Sequence, residues 1–255
     1  MRYRFMRCVG FALFALPVLA SGADIDDADL KLARSLTRPA YDIAGLQRQL
    51  VAAPERVQDW WRERKSSYLV IRDLNGDGRK DVFMAVEPNP VIQSAGGVSC
   101  EMTDRIRERE FCSGAREIEV HYQQPDGSYR LGTRTSKLMM SRDEGGMDPD
   151  PFKGFTVTPK GSIRIHFSGG AGWKWESVYT VQFRKDDVYV IGTYDYSCSG
   201  ARDDIECYKT DAKLLTGQYT EETWIGDQKN RRVRKGVKKN VHPYRLSEAS
   251  VGMGR

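Results

Sequence analysis

The chain has 255 residues and a net charge of +5, from 40 Lys and Arg against 35 Asp and Glu. Residues 1–23 hold Arg2, Arg4 and Arg7 and no acid, so the remainder carries only +2, which speaks against a globally basic nucleic-acid binder. That remainder, about 230 residues, suffices for one domain with a sizeable core.

The N-terminus runs basic (MRYRFMR), apolar (CVGFALFALPVLA) and small (SGA), the order of a secretory signal peptide. The apolar run is shorter than the roughly 20 residues of a spanning helix. Cleavage is expected near Ala23, with Ala20 as the alternative, and a membrane anchor is the competing reading. Position 23 is not a cysteine and Cys8 is too early for a lipoprotein site. The sequence therefore predicts a periplasmic or secreted protein with no membrane insertion after cleavage.

Residues 24–65 read as a helical N-terminal segment. In DIDDADLKLARSL, Leu30, Leu32 and Leu36 sit among charges and Asp26 or Asp27 is placed to cap; Pro39 ends the segment. YDIAGLQRQLVAA carries Ile43, Leu46 and Leu50 at 3–4 spacing. PERVQDWWRERK begins with Pro54, which suits a first helical turn. Its Trp60 and Trp61 are expected to pack rather than form an exposed patch.

Residues 66–246 change to short strands. EIEVHY (117–122) alternates, with Ile118, Val120 and Tyr122 on one face and Glu117, Glu119 and His121 on the other. Pro125-Asp126-Gly127 is a turn. GFTVTPKGSIRIHF reads as strand, turn at 159–161, strand, and ESVYTVQFRKDDVYVIGTYDYS as strand, turn at 185–187, strand. Turns recur every 8–12 residues without a helical period. The predicted fold is mainly all-β, with antiparallel sheets in a sandwich or a small propeller-like arrangement. Residues 93–115 and 141–154 are long surface loops, and 247–255 are expected to be a disordered tail. The segment KNRRVRKGVKKNV (229–241) holds seven basic residues. It fits an edge strand whose cations block sheet-to-sheet pairing, and docking on an anionic partner is the alternative.

Four cysteines remain after export: Cys100, Cys112, Cys198 and Cys207. Four cysteines allow three pairings, of which 100–112 with 198–207 is the simplest. A zinc site competes poorly, because there is no C-x-x-C and His121, His166 and His242 lie far away in sequence.

The stretch DLNGDGRKD (73–81) separates two apolar runs. Oxygen-bearing side chains fall at its positions 1, 3, 5 and 9, namely Asp73, Asn75, Asp77 and Asp81. Gly78 permits a sharp reversal, and the Arg79 carbonyl can turn inward. Hard Ca²⁺ takes six to eight such oxygens. An EF-hand loop would need an acid at position 12, where this chain has Met84, and its flanks would be helical. The loop resembles instead the DxNxDGxxD loops of integrin-type (FG-GAP) repeats. A metal-free, Asx-rich turn is the alternative. With a nearly complete ligand set, the ion is expected to stiffen the fold rather than react.

Over residues 66–240 the chain also resembles a group of small exported bacterial proteins. The resemblance is carried by LVIRDLNGDGRKDVFMAV, by SGGAGWKWESVYTVQFR with VYVIG, and by LLTGQYTEE. The group includes calcium-binding periplasmic immunity proteins that inhibit a lysozyme-like peptidoglycan hydrolase delivered by a bacteria-killing type IV secretion system. The resemblance implies an all-β, propeller-like fold and metal ligands at Asp73, Asn75, Asp77, Arg79 (main chain) and Asp81. Periplasmic lysozyme inhibitors often insert an SGxxY loop into the enzyme. Here SGGAGWKW offers Ser168, Gly169, Gly170, Trp173 and Lys174 as partner-binding residues, with Trp173 in place of the Tyr.

No catalytic set stands out. There is no G-x-S-x-G and no H-x-x-x-H, and His121 and His166 read as ordinary strand residues. The expected function is a non-enzymatic periplasmic calcium-binding protein, an inhibitor of a cell-wall hydrolase. A carbohydrate- or surface-binding module using Trp173, Trp175, Tyr194 and Tyr196, with peptidoglycan as possible partner, is the second expectation. A carboxylate-dependent hydrolase, marked by an open cleft with two acids, is the third.

Overall fold

The computed structural model describes residues 26–39, 41–44, 68–88, 116–140, 142–146, 150–170, 173–184, 187–200, 205–226 and 230–249. The stretch 1–23, read as a signal peptide in the sequence, the segment 45–67 with Trp60 and Trp61, and Cys100 with Cys112 lie outside them.

The helix α1 (Asp27–Leu36) starts where the side chain of Asp26 accepts the Asp29 N–H at 2.7 Å. Asp27 and Asp29 in its first turn and Arg34 in its last complement the helix dipole. It stops at Thr37, whose N–H and hydroxyl both donate to the Arg34 carbonyl. The next residues depart from expectation: Tyr41–Ile43 form a strand, β1, rather than a second helix. Ile43 pairs with Val86 on a sheet edge and is buried against it. Satisfying that edge and burying Ile43 outweigh a weak local helical period.

Two antiparallel sheets follow. The five-stranded sheet joins β1 to β2 (Leu69–Arg72), β3 (Asp81–Pro88), β4 (Glu117–Gln123) and β5 (Tyr129–Thr135). β1 and β2 share one edge of β3, β2 along Asp81–Met84 and β1 along Val86–Pro88. The eight-stranded sheet is a meander of β6 (Phe152–Val157), β7 (Ile163–Gly170), β8 (Lys174–Arg184), β9 (Asp187–Ser199), β10 (Glu206–Lys213), β11 (Gln218–Ile225) and β12 (Arg232–Val237). Its eighth strand, β13 (Tyr244–Arg245), pairs with β9 at Tyr189 and Val190. Of the two expected architectures, the chain adopts the sandwich.

The main core lies between the sheets. Phe83, Ile118, Val120 and Tyr122 from the smaller sheet meet Phe152, Phe155, Ile165, Phe167 and Tyr179 from the larger. Phe83 packs edge-on to Phe155, with ring centroids 4.7 Å apart. Each such buried side chain contributes about 1.5–3 kcal/mol. A second cluster covers the outer face of the smaller sheet, where Ala33 of α1 and its Leu30, Leu32 and Leu36 lie over Leu69, Val82, Met84 and Val86.

The alternation predicted for EIEVHY is correct, and both faces are covered. Glu119 and His121, opposite the core residues, are buried beside Arg38 and Arg134. Burial pushes the Glu119 carboxyl up, but bonds to His121 (3.0 Å) and Arg134 (2.9 Å) outweigh it and hold the carboxyl below the ordinary range.

Only part of the larger sheet is covered by the smaller one. β10–β12 extend as a wing whose residues are mostly exposed or half-buried. β12 forms the sheet's edge, as expected for the basic segment. The tail expected over 247–255 is ordered in its described part, 247–249: Leu246–Glu248 form a 3-10 turn, and Leu246 and Ala249 are fully buried in the main core. The apolar side chains at 246 and 249 hold the start of the presumed tail in place.

Cys198 and Cys207 are disulfide-bonded, facing each other across β9 and β10. Such bonds persist in oxidising compartments. Among the described residues no helix is long and apolar enough to cross a membrane.

Candidate functional site

The loop 73–81 is the turn between β2 and β3. Gly76 (φ 86°) and Gly78 (φ 84°) take the left-handed conformations that reverse the chain. The Asp73 carboxylate gathers N–H groups from Gly76 (2.7 Å), Asp77 (3.2 Å) and Gly78 (2.8 Å). Asn75 Oδ1 accepts the Asp77 N–H, and Asp77 Oδ1 accepts the Arg79 N–H. These Asx turns, one stepping to the next, wind the loop around its own oxygens. The Arg79 N–H chiefly holds the Asp77 carboxyl below its ordinary range.

Asp81 differs. It is fully buried, and its two oxygens accept the N–H groups of Leu74 (3.1 Å) and Gln123 (3.0 Å). It thereby ties the loop to the end of β4. Burial pushes its carboxyl up, partly offset by those two bonds and reinforced by the charges of Asp77 and Asp73.

The donor set is all oxygen, the chemistry of a hard cation. The arrangement meets its own needs: the Arg79 guanidinium and the Asn75 amide both donate to Asp77 Oδ2. Among the described residues no three His, Cys, Asp or Glu side chains converge as a preformed metal cage. Asp73, Asn75, Asp77 and the Arg79 carbonyl share one tight turn, while Asp81 clamps two strands.

The residues expected to touch a partner lie at the other end of the sandwich. Arg72, beside the loop, approaches Gly161 in the β6–β7 turn. Ser168, Gly169 and Gly170 end β7, and Lys174 begins β8. One strand length, about 25 Å for eight residues, separates the two places. A cation in the loop therefore cannot support this hairpin directly.

The glycines there are demanded by packing. A Cβ on Gly169 would lie 2.6 Å from the Gly145 carbonyl oxygen and 2.8 Å from the Trp175 ring. A Cβ on Gly170 would lie 1.8 Å from the Trp173 carbonyl oxygen. Gly170 also bridges to Gly146. The Ser168 N–H donates to the Pro151 carbonyl. Trp173 is 47% exposed and stacks on the buried Trp175, with centroids 6.1 Å apart. The close-packed end of β7 and the start of β8 thus present one indole to solvent with Lys174 exposed beside it.

The aromatic platform of the second expectation does not form. Trp175 faces the inter-sheet core, whereas Tyr194 and Tyr196 point to the opposite face of the larger sheet. Tyr196 stacks on Trp224, and the Lys209 ammonium lies over the Tyr194 ring.

That opposite face holds a feature the sequence did not reveal, a concave groove of about 720 Å³ crossing β6 to β10. Arg164, Thr180, Gly192 and Lys213 form one cross-strand row, in which Gly192, with no side chain, leaves room beside Lys213. His166, whose Nε2 lies 2.7 Å from Thr156 Oγ1, Glu176 and Asp211 also line it. The outward polar positions of four strands were readable as alternation. Their alignment around Gly192 depends on register, which includes a bulge at Ile191 between β8 and β9.

Compared with family models, with curated proteins and with solved structures, the chain has no match.

Proposed function

We propose that the chain is a non-catalytic periplasmic binding protein that occludes the active site of a lysozyme-like peptidoglycan hydrolase. The observation that carries this reading is the exposed Trp173 beside the start of β8, stacked on the buried Trp175 and flanked by Lys174. A preorganised aromatic with a neighbouring cation has the makings of a binding hot spot, because little entropy is lost on docking. Lys174 suits the carboxylates of a glycosidase cleft. Calcium belongs to the same reading, held by Asp73, Asn75, Asp77 and the Arg79 carbonyl with Asp81 behind them. It would neutralise the clustered acids and stiffen the β2–β3 end. Adding the purified protein to a panel of lysozyme-type hydrolases, including one encoded beside it, tests the reading. Inhibition that Trp173→Ala abolishes is expected, and failure to inhibit any of them refutes it.

The groove favours a second reading, a carbohydrate- or cell-surface-binding module. Its hydroxyls, paired signs of charge and Tyr194 suit a polar chain-like ligand better than a lipid. Retention on purified peptidoglycan without any hydrolase is its expected mark. Glu176 and Asp211 are the acids a hydrolase would use. Asp211 is exposed and Glu176 half-buried, unlike the apolar pocket in which a glycosidase keeps its general acid.

A further inference from the structure

We propose that the outer edge of β12 accepts an extended acidic segment of a partner protein, added to the larger sheet as one more antiparallel strand.

The inner edge of β12 fixes which of its main-chain groups face outward. The Lys238 N–H donates to the Gly217 carbonyl at 2.9 Å. From that pair the register runs Gly236 with Tyr219, Arg234 with Glu221 and Arg232 with Thr223. Hydrogen-bonded pairs alternate along an antiparallel ladder. Arg232, Arg234 and Gly236 therefore bond inward to β11. Val233, Lys235 and Val237 turn their N–H and C=O groups outward, and among the described residues no strand meets them. All three side chains are exposed, Val233 by 50% and Val237 by 63%.

Charge decides the occupant. Arg231, Arg234 and Lys238 pair with Glu222 and Glu221 of β11. Arg232, Lys235 and Lys239 make no ion pair among the described residues, so the edge keeps unspent positive charge. A second copy of this chain would set another row of Arg and Lys against the first, and like charges across strands are destabilising. An acidic strand meets no such repulsion. The fold already contains one: β11, with the sequence QYTEETWI, whose Glu221 and Glu222 pair with Arg234, Lys238 and Arg231 on the inner side of this segment. Strand addition draws its affinity from main-chain bonds and its selectivity from alternate side chains. The outer edge offers three residues of the first and, in Val233–Lys235–Val237, an apolar–cation–apolar face for the second.

The test uses a fluorescein-labelled peptide with the sequence of residues 218–224 and measures binding by anisotropy to the full chain. A peptide with both glutamates changed to lysine is the control. Two protein variants separate charge from main chain. Val233→Pro keeps every charge and removes one outward N–H, with no inward ladder bond lost. Lys235→Glu keeps the main chain and reverses one exposed charge. Saturable binding of the acidic peptide, none of the lysine peptide, and an affinity loss of about tenfold or more for each variant are expected. Absence of binding overturns the proposal, and so does a Val233→Pro variant that binds as tightly as the parent. Polyphosphate binding both proteins alike, with the peptide binding neither, would assign the edge to a polyanion and also overturn it. Circular dichroism melts confirm that both variants are folded.

Discussion

The guanidinium of Arg116 meets the carboxylate of Asp150 in a two-pronged ion pair, both bonds 2.7 Å long and both residues 2% exposed. Arg116 precedes β4 in one sheet and Asp150 precedes β6 in the other, so the pair joins the sheets across the sandwich. Glu87 of β3 accepts a third bond from Arg116 at 3.0 Å. Asp150→Ala leaves a buried cation short of a partner and is expected to cost about 3–5 kcal/mol of stability. The Arg116→Met, Asp150→Leu double variant is expected to recover part of that loss. Urea denaturation checks both, and an Asp150→Ala protein as stable as the parent contradicts the assignment.

On the proposed reading, calcium would compete with the Arg79 guanidinium for the charge of Asp77. Calcium at 100 times its dissociation constant is expected to stabilise the fold by about 2.7 kcal/mol, reversed by chelator. Arg79→Gln removes the internal competitor and should tighten calcium binding, whereas Asp77→Ala should abolish it. Isothermal titration with melting curves reads these effects. No uptake by the parent, with melting unchanged by chelator, rejects the metal site.

Trp173 and Trp175 make opposite predictions from adjacent rings. Trp173→Ala is expected to leave stability within about 0.5 kcal/mol, as at an exposed site, while abolishing inhibition. Trp175→Ala empties part of the core edge and is expected to cost about 3–5 kcal/mol. Thermal melts and the hydrolase assay distinguish them. Equal inhibition by the Trp173→Ala protein moves the partner surface elsewhere.

Glu119 gives stability a pH dependence. Arg38 after α1, Arg134 on β5, and His121 and Glu117 on β4 are the charged and titratable groups around it. Its carboxyl is held below the ordinary value of 4.5 in the fold. A depressed carboxyl contributes stability that is present above its unfolded value and is lost as pH falls through the folded one. Glu119→Gln should therefore destabilise the protein near neutrality and flatten its stability profile below about pH 4.5. Urea midpoints from pH 7 to pH 3 measure this, and parallel profiles for parent and variant contradict it.

The disulfide closes a short loop with a sequence separation of 9. The Cys198→Ser, Cys207→Ser protein is expected to lose about 2–3 kcal/mol on the chain-entropy estimate. Chemical denaturation of the oxidised parent against the variant reads the difference. An unchanged midpoint would show that the hairpin of β9 and β10 is held by its ladder alone.

Much of the fold was legible because its signals are local. Alternation in EIEVHY, the turns at Pro125–Gly127 and Pro159–Gly161, and the Asp26 cap are each set within a few residues. The winding of the Asp73–Asp81 loop was legible for the same reason, since Asx turns and left-handed glycines act over two to five positions. Tyr41–Ile43 and residues 247–249 differ from the sequence expectation because distant partners decide them. Ile43 answers to β3, and Leu246 with Ala249 to the gap between the sheets.

The sequence by itself determined most of the strands, the alternation of EIEVHY and the chemistry of the acidic turn, because neighbouring residues suffice to set a dihedral or a period. Tertiary structure alone decided what those strands bring together. Register aligned Arg164, Gly192 and Lys213 into a groove and left the outer groups of Val233, Lys235 and Val237 open. Sheet packing buried Glu119 and Arg116, and the β8–β9 register set Trp175 and Tyr194 on opposite faces. A side chain's direction is a local property, but its company depends on strand pairing, where a shift of one residue exchanges one face for the other.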